Sequence, residues 1–140
     1  MKKIYIASDH AGFKLKSSIL LKFAKKKKII DLGPNSSISV DYPDYAKKLS
    51  KKIASDKGSL GILICGSGMG MAITANKIKN VRAALCYSNK NTKLSRLHNN
   101  ANIITLGERL ISKNKAINLI KIFLRTKFEG GRHLRRIKKM

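Results

Sequence analysis

The chain has 140 residues, one domain's worth, and a domain of that size buries roughly two thirds of its unfolded surface without staples. Hydrophobic residues at 43% and charged residues at 27% exclude a disordered or low-complexity chain. Lys plus Arg number 31 against seven Asp plus Glu, and the resulting +24 invites a polyanion as partner, but the lysines are spread along the whole chain. From the amino terminus, residues 2–8 (KKIYIAS) read as a short strand. It runs into a helix over 12–26, where Leu15, Ile19 and Phe23 recur every four residues. Residues 29–32 are a second strand stopped by Gly33-Pro34, and 35–40 are loop. Pro43 suits the first turn of a helix after Asp41, with Ala46, Leu49 and Ile53 as its buried stripe. Residues 60–65 (LGILIC) are a nearly unbroken apolar run, the pattern of a strand covered on both faces. They break into Gly66-Ser67-Gly68-Met69-Gly70, and 71–78 read as helix. A fourth strand over 81–86, a short helix over 89–97 and a fifth strand over 102–106 follow. Ser112 is placed to cap a last long helix that carries Ala116, Ile117, Ile120 and Leu124 inward, and residues 127–140 are a basic tail.

Five strands regularly separated by helices require crossovers and hence a parallel sheet. The expected fold class is α/β: a Rossmann-like three-layer sandwich with a five-stranded parallel sheet, one domain over residues 1–140. Ligands in such sheets bind beyond the carboxyl ends of the strands. That end receives Ser8-Asp9-His10, Cys65-Gly66-Ser67-Gly68 and Gly107-Glu108-Arg109. His98-Asn99, which close the helix before the fifth strand, are expected on the same side.

Gly66, Gly68 and Gly70 allow a tight turn whose amide hydrogens point into a pocket, the arrangement that holds a phosphate or a developing oxyanion. Their spacing is neither the dinucleotide fingerprint nor a Walker loop, so a plain strand-to-helix turn stays open as a reading. Cys65 ends its strand beside that turn, where thiolate is favoured and can serve as nucleophile or base. Cys86, in an apolar run, reads as packing. Asp9, His10 and His98 have the chemistry of acids, bases or hydrogen-bond partners. Arg132 and Arg136, four apart, project from one helical face and can clamp a phosphate, with a solvated basic tail as the competing reading. No His pair at i, i+4 and no carboxylate cluster is present in the sequence, so no metal is expected.

A dedicated nucleic-acid reader is disfavoured, because helix-turn-helix cues, zinc spacing and a basic stripe interleaved with aromatics are all missing from the sequence. No apolar run approaches the roughly 20 residues that span a bilayer, so no membrane partner is expected. The first residues lack the apolar region of a signal peptide, and two cysteines make no disulfide framework. A reducing cytoplasm is the expected location.

Six strings occur in order along essentially the whole chain: S-D-H-A-G-F, D-Y-P-D-Y, I-L-I-C-G-S-G-M-G-M, L-S-R-L-H-N-N-A-N, L-G-E-R and E-G-G-R-H-L-R-R. In combination they resemble the type B ribose-5-phosphate isomerases, within the wider family that includes galactose-6-phosphate isomerase subunits. The resemblance implies an aldose–ketose isomerase for a phosphorylated pentose, without cofactor or metal. It further implies a homodimer or dimer of dimers whose pocket lies at the subunit interface and draws residues from both chains. Carried over, Asp9 and His10 bind the sugar phosphate and Cys65 moves the proton between carbons 1 and 2. Gly66, Ser67, Gly68, Met69 and Gly70 hold the enediolate oxygens, Ser67 through its hydroxyl. His98 assists ring opening with Asn99 beside it, Tyr42 matches an active-site tyrosine, and Arg109, Arg132 and Arg136 complete the polar and phosphate contacts. One branch of the family uses a glutamate where this chain has Met71, which cannot take a proton, so this chain follows the cysteine branch. Ser67 stands where that branch often carries threonine. The runner-up within the family is a galactose-6-phosphate isomerase subunit or an allose-6-phosphate isomerase; from another class, it is a basic nucleic-acid-binding protein.

Overall fold

The computed structural model describes residues 2–140. Its strands are β1 (Ile4–Ser8), β2 (Ile29–Asp31), β3 (Leu60–Cys65), β4 (Ala83–Leu85) and β5 (Ile103–Gly107), all parallel, in the order β2-β1-β3-β5-β4. The helices between and after them are α1 (Phe13–Phe23), α2 (Tyr42–Ser55), α3 (Met69–Ala75), α4 (Asn89–Leu97), α5 (Lys113–Arg125) and α6 (Arg132–Ile137). This is the expected α/β sandwich.

Alternation along the strands sorts the core into two layers. Ile4, Ile6, Leu60, Ile62, Ile64, Ile104 and Leu106 face α1 and α5, meeting Leu15, Ile19, Phe23, Ile120 and Phe123. Tyr5, Ala7, Leu63, Cys65 and Ile103 face α2 and α3, meeting Leu49, Ile53, Met71 and Ala75. Buried on both faces, β3 is the continuous apolar run that a parallel centre demands. β1 and β3 are neighbours whose connections leave in opposite directions, so the crevice at a topological switch point opens beyond Ser8 and Cys65.

Several boundaries differ from the sequence expectation. The first helix ends at Phe23 and not at Lys26: Lys26 and Lys27 both donate to the Phe23 carbonyl in a terminating turn, within a run of four consecutive lysines that repel one another. β4 is three half-buried residues at the sheet edge, and Cys86 lies just past it. The basic tail is not solvated coil throughout: α6 docks against the end of α4. Lys16, at 1% exposure, was outside the predicted stripe; it bonds the Asp31 carboxylate at 2.8 Å and the Pro34 carbonyl, fastening α1 to the turn after β2.

Candidate active site

At the carboxyl end of the sheet, the backbone amide of Asp9 donates to the Ile64 carbonyl (3.1 Å), tying the exits of β1 and β3 together. The buried Asp9 side chain accepts from the Gly12 amide at 3.0 Å through Oδ1, which orients the carboxylate and closes the turn into α1. His10 is exposed, with Nδ1 within 3.2 Å of both the amide and the carbonyl of Val40. That contact draws the loop carrying Asp41 and Tyr42 across the crevice. Tyr42 starts α2 and lies over the glycine turn, so that a Cβ on Gly70 would sit 2.5 Å from its ring.

Cys65 is 4% exposed, and its Sγ accepts a hydrogen bond from the Gly68 amide at 3.1 Å. Gly68 has φ +77°, a conformation that costs a side-chain-bearing residue energy, and a Cβ there would also press on the Leu106 carbonyl carbon at 2.9 Å. Ser67 Oγ accepts from the Met69 amide at 3.3 Å. The Arg109 guanidinium lies against Gly66, with Nη1 2.9 Å from where a Cβ would be. Glu108 follows β5 with Oε2 buried and unpartnered. Burial pushes its carboxyl up and Asp9 adds to the effect, against the opposing pull of the Leu15 amide, Lys14 and Arg109. Because α3 is only seven residues long, anion-holding capacity here belongs to the turn's own amides rather than to a helix dipole.

The remaining predicted residues lie elsewhere. Contrary to the expectation from sequence, His98 and Asn99 sit at the amino end of the strands. Helices in a crossover run back against the strands they join, so a helix carboxyl terminus such as that of α4 reaches the start of β5. Along β3, Gly61 pairs with Ile103 at the amino end and Cys65 with Gly107 at the other. That separation is about 13 Å from four residue steps of ~3.3 Å each, and His98 lies farther out still. Arg132 and Arg136 share that far end. The Glu129 amide donates to the Leu97 carbonyl at 3.1 Å, Arg96 Nε donates to Thr126, and the His133 and His98 rings stack at 4.2 Å, 13° from parallel.

Glu129 and His133 were not singled out from sequence, although their i, i+4 spacing is visible there. Gly130-Gly131 between them obscures the helix, and no local pattern announces that His98 joins them. The sequence holds no His pair at i, i+4, yet the fold gathers His98, Glu129 and His133 with one donor atom each, all within 4.8 Å. His133 is buried; burial first, then His98 and Arg132, hold its imidazole below the usual range, with Glu129 opposing them. Cys86 is buried, and burial pushes its thiol up.

The model of the Ribose/Galactose Isomerase family matches residues 4–140. The chain belongs to that family. Among its family relatives, the ribose-5-phosphate isomerase B of Escherichia coli K12 is 38% identical over 138 residues, covering 98% of this chain and 93% of the relative. The Thermotoga maritima ribose 5-phosphate isomerase structure matches at TM-score 0.95 and 49% identity, covering 99% of this chain and 96% of that one. The Mycoplasma genitalium ribose-5-phosphate isomerase B, solved with bound ribulose-5-phosphate, matches at TM-score 0.93 and 44% identity, over 98% and 92% of the two chains. Among the described residues no helix is long and apolar enough to cross a membrane.

Proposed function

We propose that the chain interconverts ribose 5-phosphate and ribulose 5-phosphate through an enediolate. The observation that carries this reading is the buried Cys65 Sγ, held 3.1 Å from the Gly68 amide at the end of the central strand. Moving a proton from the carbon next to a carbonyl needs a base within reach and donors aimed at the oxygen that gains charge. Cys65 is the base that takes the proton from carbon 2 and returns it to carbon 1. The Ser67 hydroxyl and those amides of the Gly66–Gly70 turn not already given to Cys65 and Ser67 face the enediolate oxygens. Tyr42 and Arg109 wall the turn, and Asp9 and His10 bind the sugar phosphate on its other side.

Ring opening and phosphate capture need His98, Asn99, Arg132 and Arg136, which one chain holds too far from its own Cys65. The active unit is therefore a homodimer, alone or doubled, in which the amino-end cluster of one copy faces the carboxyl-end crevice of the other. Exposed Tyr42, Met69 and Ile73 around the crevice and Leu134 on α6 supply apolar surface for such a contact. The route uses no metal.

The test is turnover by the purified chain alone of ribose 5-phosphate, galactose 6-phosphate and allose 6-phosphate. Efficient turnover of the pentose alone is expected. Inactivity on the pentose, with turnover of galactose 6-phosphate only after a second related chain is added, would overturn the assignment.

A further inference from the structure

We propose that His98, Glu129 and His133 form a binding site for a transition-metal dication, zinc above all, and that the bound ion inhibits the enzyme by taking His98 out of ring opening. The inhibitory half rests on the role proposed for His98; the site itself does not. Glu129 Oε2 lies 3.9 Å from His98 Nε2 and 3.8 Å from His133 Nε2. Those gaps are too wide for hydrogen bonds. They are close to the separation of two ligands on one tetrahedral ion, about 3.4 Å for bonds of 2.0–2.2 Å.

A second observation points the same way. His133 is 6% exposed, and its Nε2 is buried with no hydrogen-bond partner, a group that calls for an occupant. It is aimed at the Glu129 carboxylate across the gap an ion would fill. Two imidazoles and one carboxylate are the donor set of an open zinc site, with the fourth position left to water. The same set favours zinc, copper and nickel over magnesium and calcium.

Backbone contacts hold the cluster together without an ion: Glu129 is pinned by its amide to Leu97, and His133 begins one turn later on α6. The rings stack 4.2 Å apart and 13° from parallel, so one must turn for both nitrogens to converge on one ion. His98 can do so, because it caps α4 with its side chain 37% exposed. Arg132 and Arg136 flank the site and oppose a dication. The ion therefore binds reversibly and leaves on chelation, as suits an inhibitor more than a structural metal.

The experiment is titration of the 140-residue chain, stripped with EDTA, with zinc chloride by calorimetry and with cobalt chloride by visible absorption. One ion per chain and a tetrahedral cobalt spectrum are expected, with loss of ribose 5-phosphate turnover that EDTA restores. Glu129→Gln and His133→Gln should each lose the ion and the zinc sensitivity, judged against that variant's own zinc-free rate, whereas Cys65→Ala should bind as wild type. In the unaltered chain, zinc should shift the imidazole NMR signals of His98 and His133 and leave those of His10 in place. Binding that survives both substitutions, disappears with Cys65, or leaves the His98 and His133 signals unmoved would overturn the site. Zinc bound at the triad with undiminished turnover would overturn the inhibition. A chain that binds zinc at the triad but turns over no sugar phosphate would refute the isomerase reading and leave the metal site standing.

Discussion

Complementation between two inactive variants tests the division of the site most directly. Cys65→Ala removes the proposed base and His98→Ala the proposed ring opener, and each chain alone should be nearly inactive. In the fold these residues belong to opposite ends of β3, about 13 Å apart along the strand by ~3.3 Å per step before His98 is reached. A site using both must take them from different copies. In a two-fold dimer, a mixed pair then holds one site with both native residues and one with neither. Equal mixing makes about half the dimers mixed, so activity should recover to roughly one quarter of wild type. The assay is pentose isomerisation after mild denaturation and joint refolding, with the mixed species counted by native mass spectrometry. If one chain supplied both residues to one site, every site would carry a defect and nothing would return. Failure to regain activity while mixed dimers are demonstrably present would therefore refute the division of labour.

Further expectations follow from the same geometry. Iodoacetamide should label Cys65 before Cys86, whose thiol burial pushes up, and a sugar phosphate should protect Cys65; faster labelling of Cys86 would contradict the assignment. Gly70→Ala places a Cβ 2.5 Å from the Tyr42 ring, which is 41% exposed and free to swing outward. It should lower turnover while moving the thermal midpoint little, and an equal loss of both would mean that Tyr42 is a packing residue. Arg132→Ala or Arg136→Ala should raise KM roughly ten- to a hundredfold with kcat largely kept, the pattern of a lost charge-assisted contact. Glu108 is held above its unfolded value of 4.5, chiefly by burial, so the folded state binds the extra proton and loses stability as pH rises through that window. Glu108→Gln should accordingly stabilise the chain in urea at pH 7 and make little difference at pH 3.5; the reverse order would refute this sign.

The sequence determined by itself what depends on neighbours along the chain. Short apolar strand runs, helices of period four and the Gly66–Gly70 turn are local, and the alternation of elements imposes a parallel sheet. Cys65 at the exit of an apolar strand could likewise be placed beside a ligand crevice before any contact was known. Interactions that close over long sequence separations were decided only in the tertiary structure. Lys16 was invisible as a buried residue because its partner is Asp31, and the placement of His98 was missed because the return direction of α4 sets it. Gly130 and Gly131 broke the pattern that announces α6, although its side chains dock on α4. Glu129 and His133 read as two residues of a basic tail until folding brought His98 to them, since a donor set drawn from two distant segments has no period to detect. The proposed apportioning of the site between copies has the same origin. Both halves are written in the sequence, but sheet geometry sets their separation, which is why the proposed site takes them from two copies.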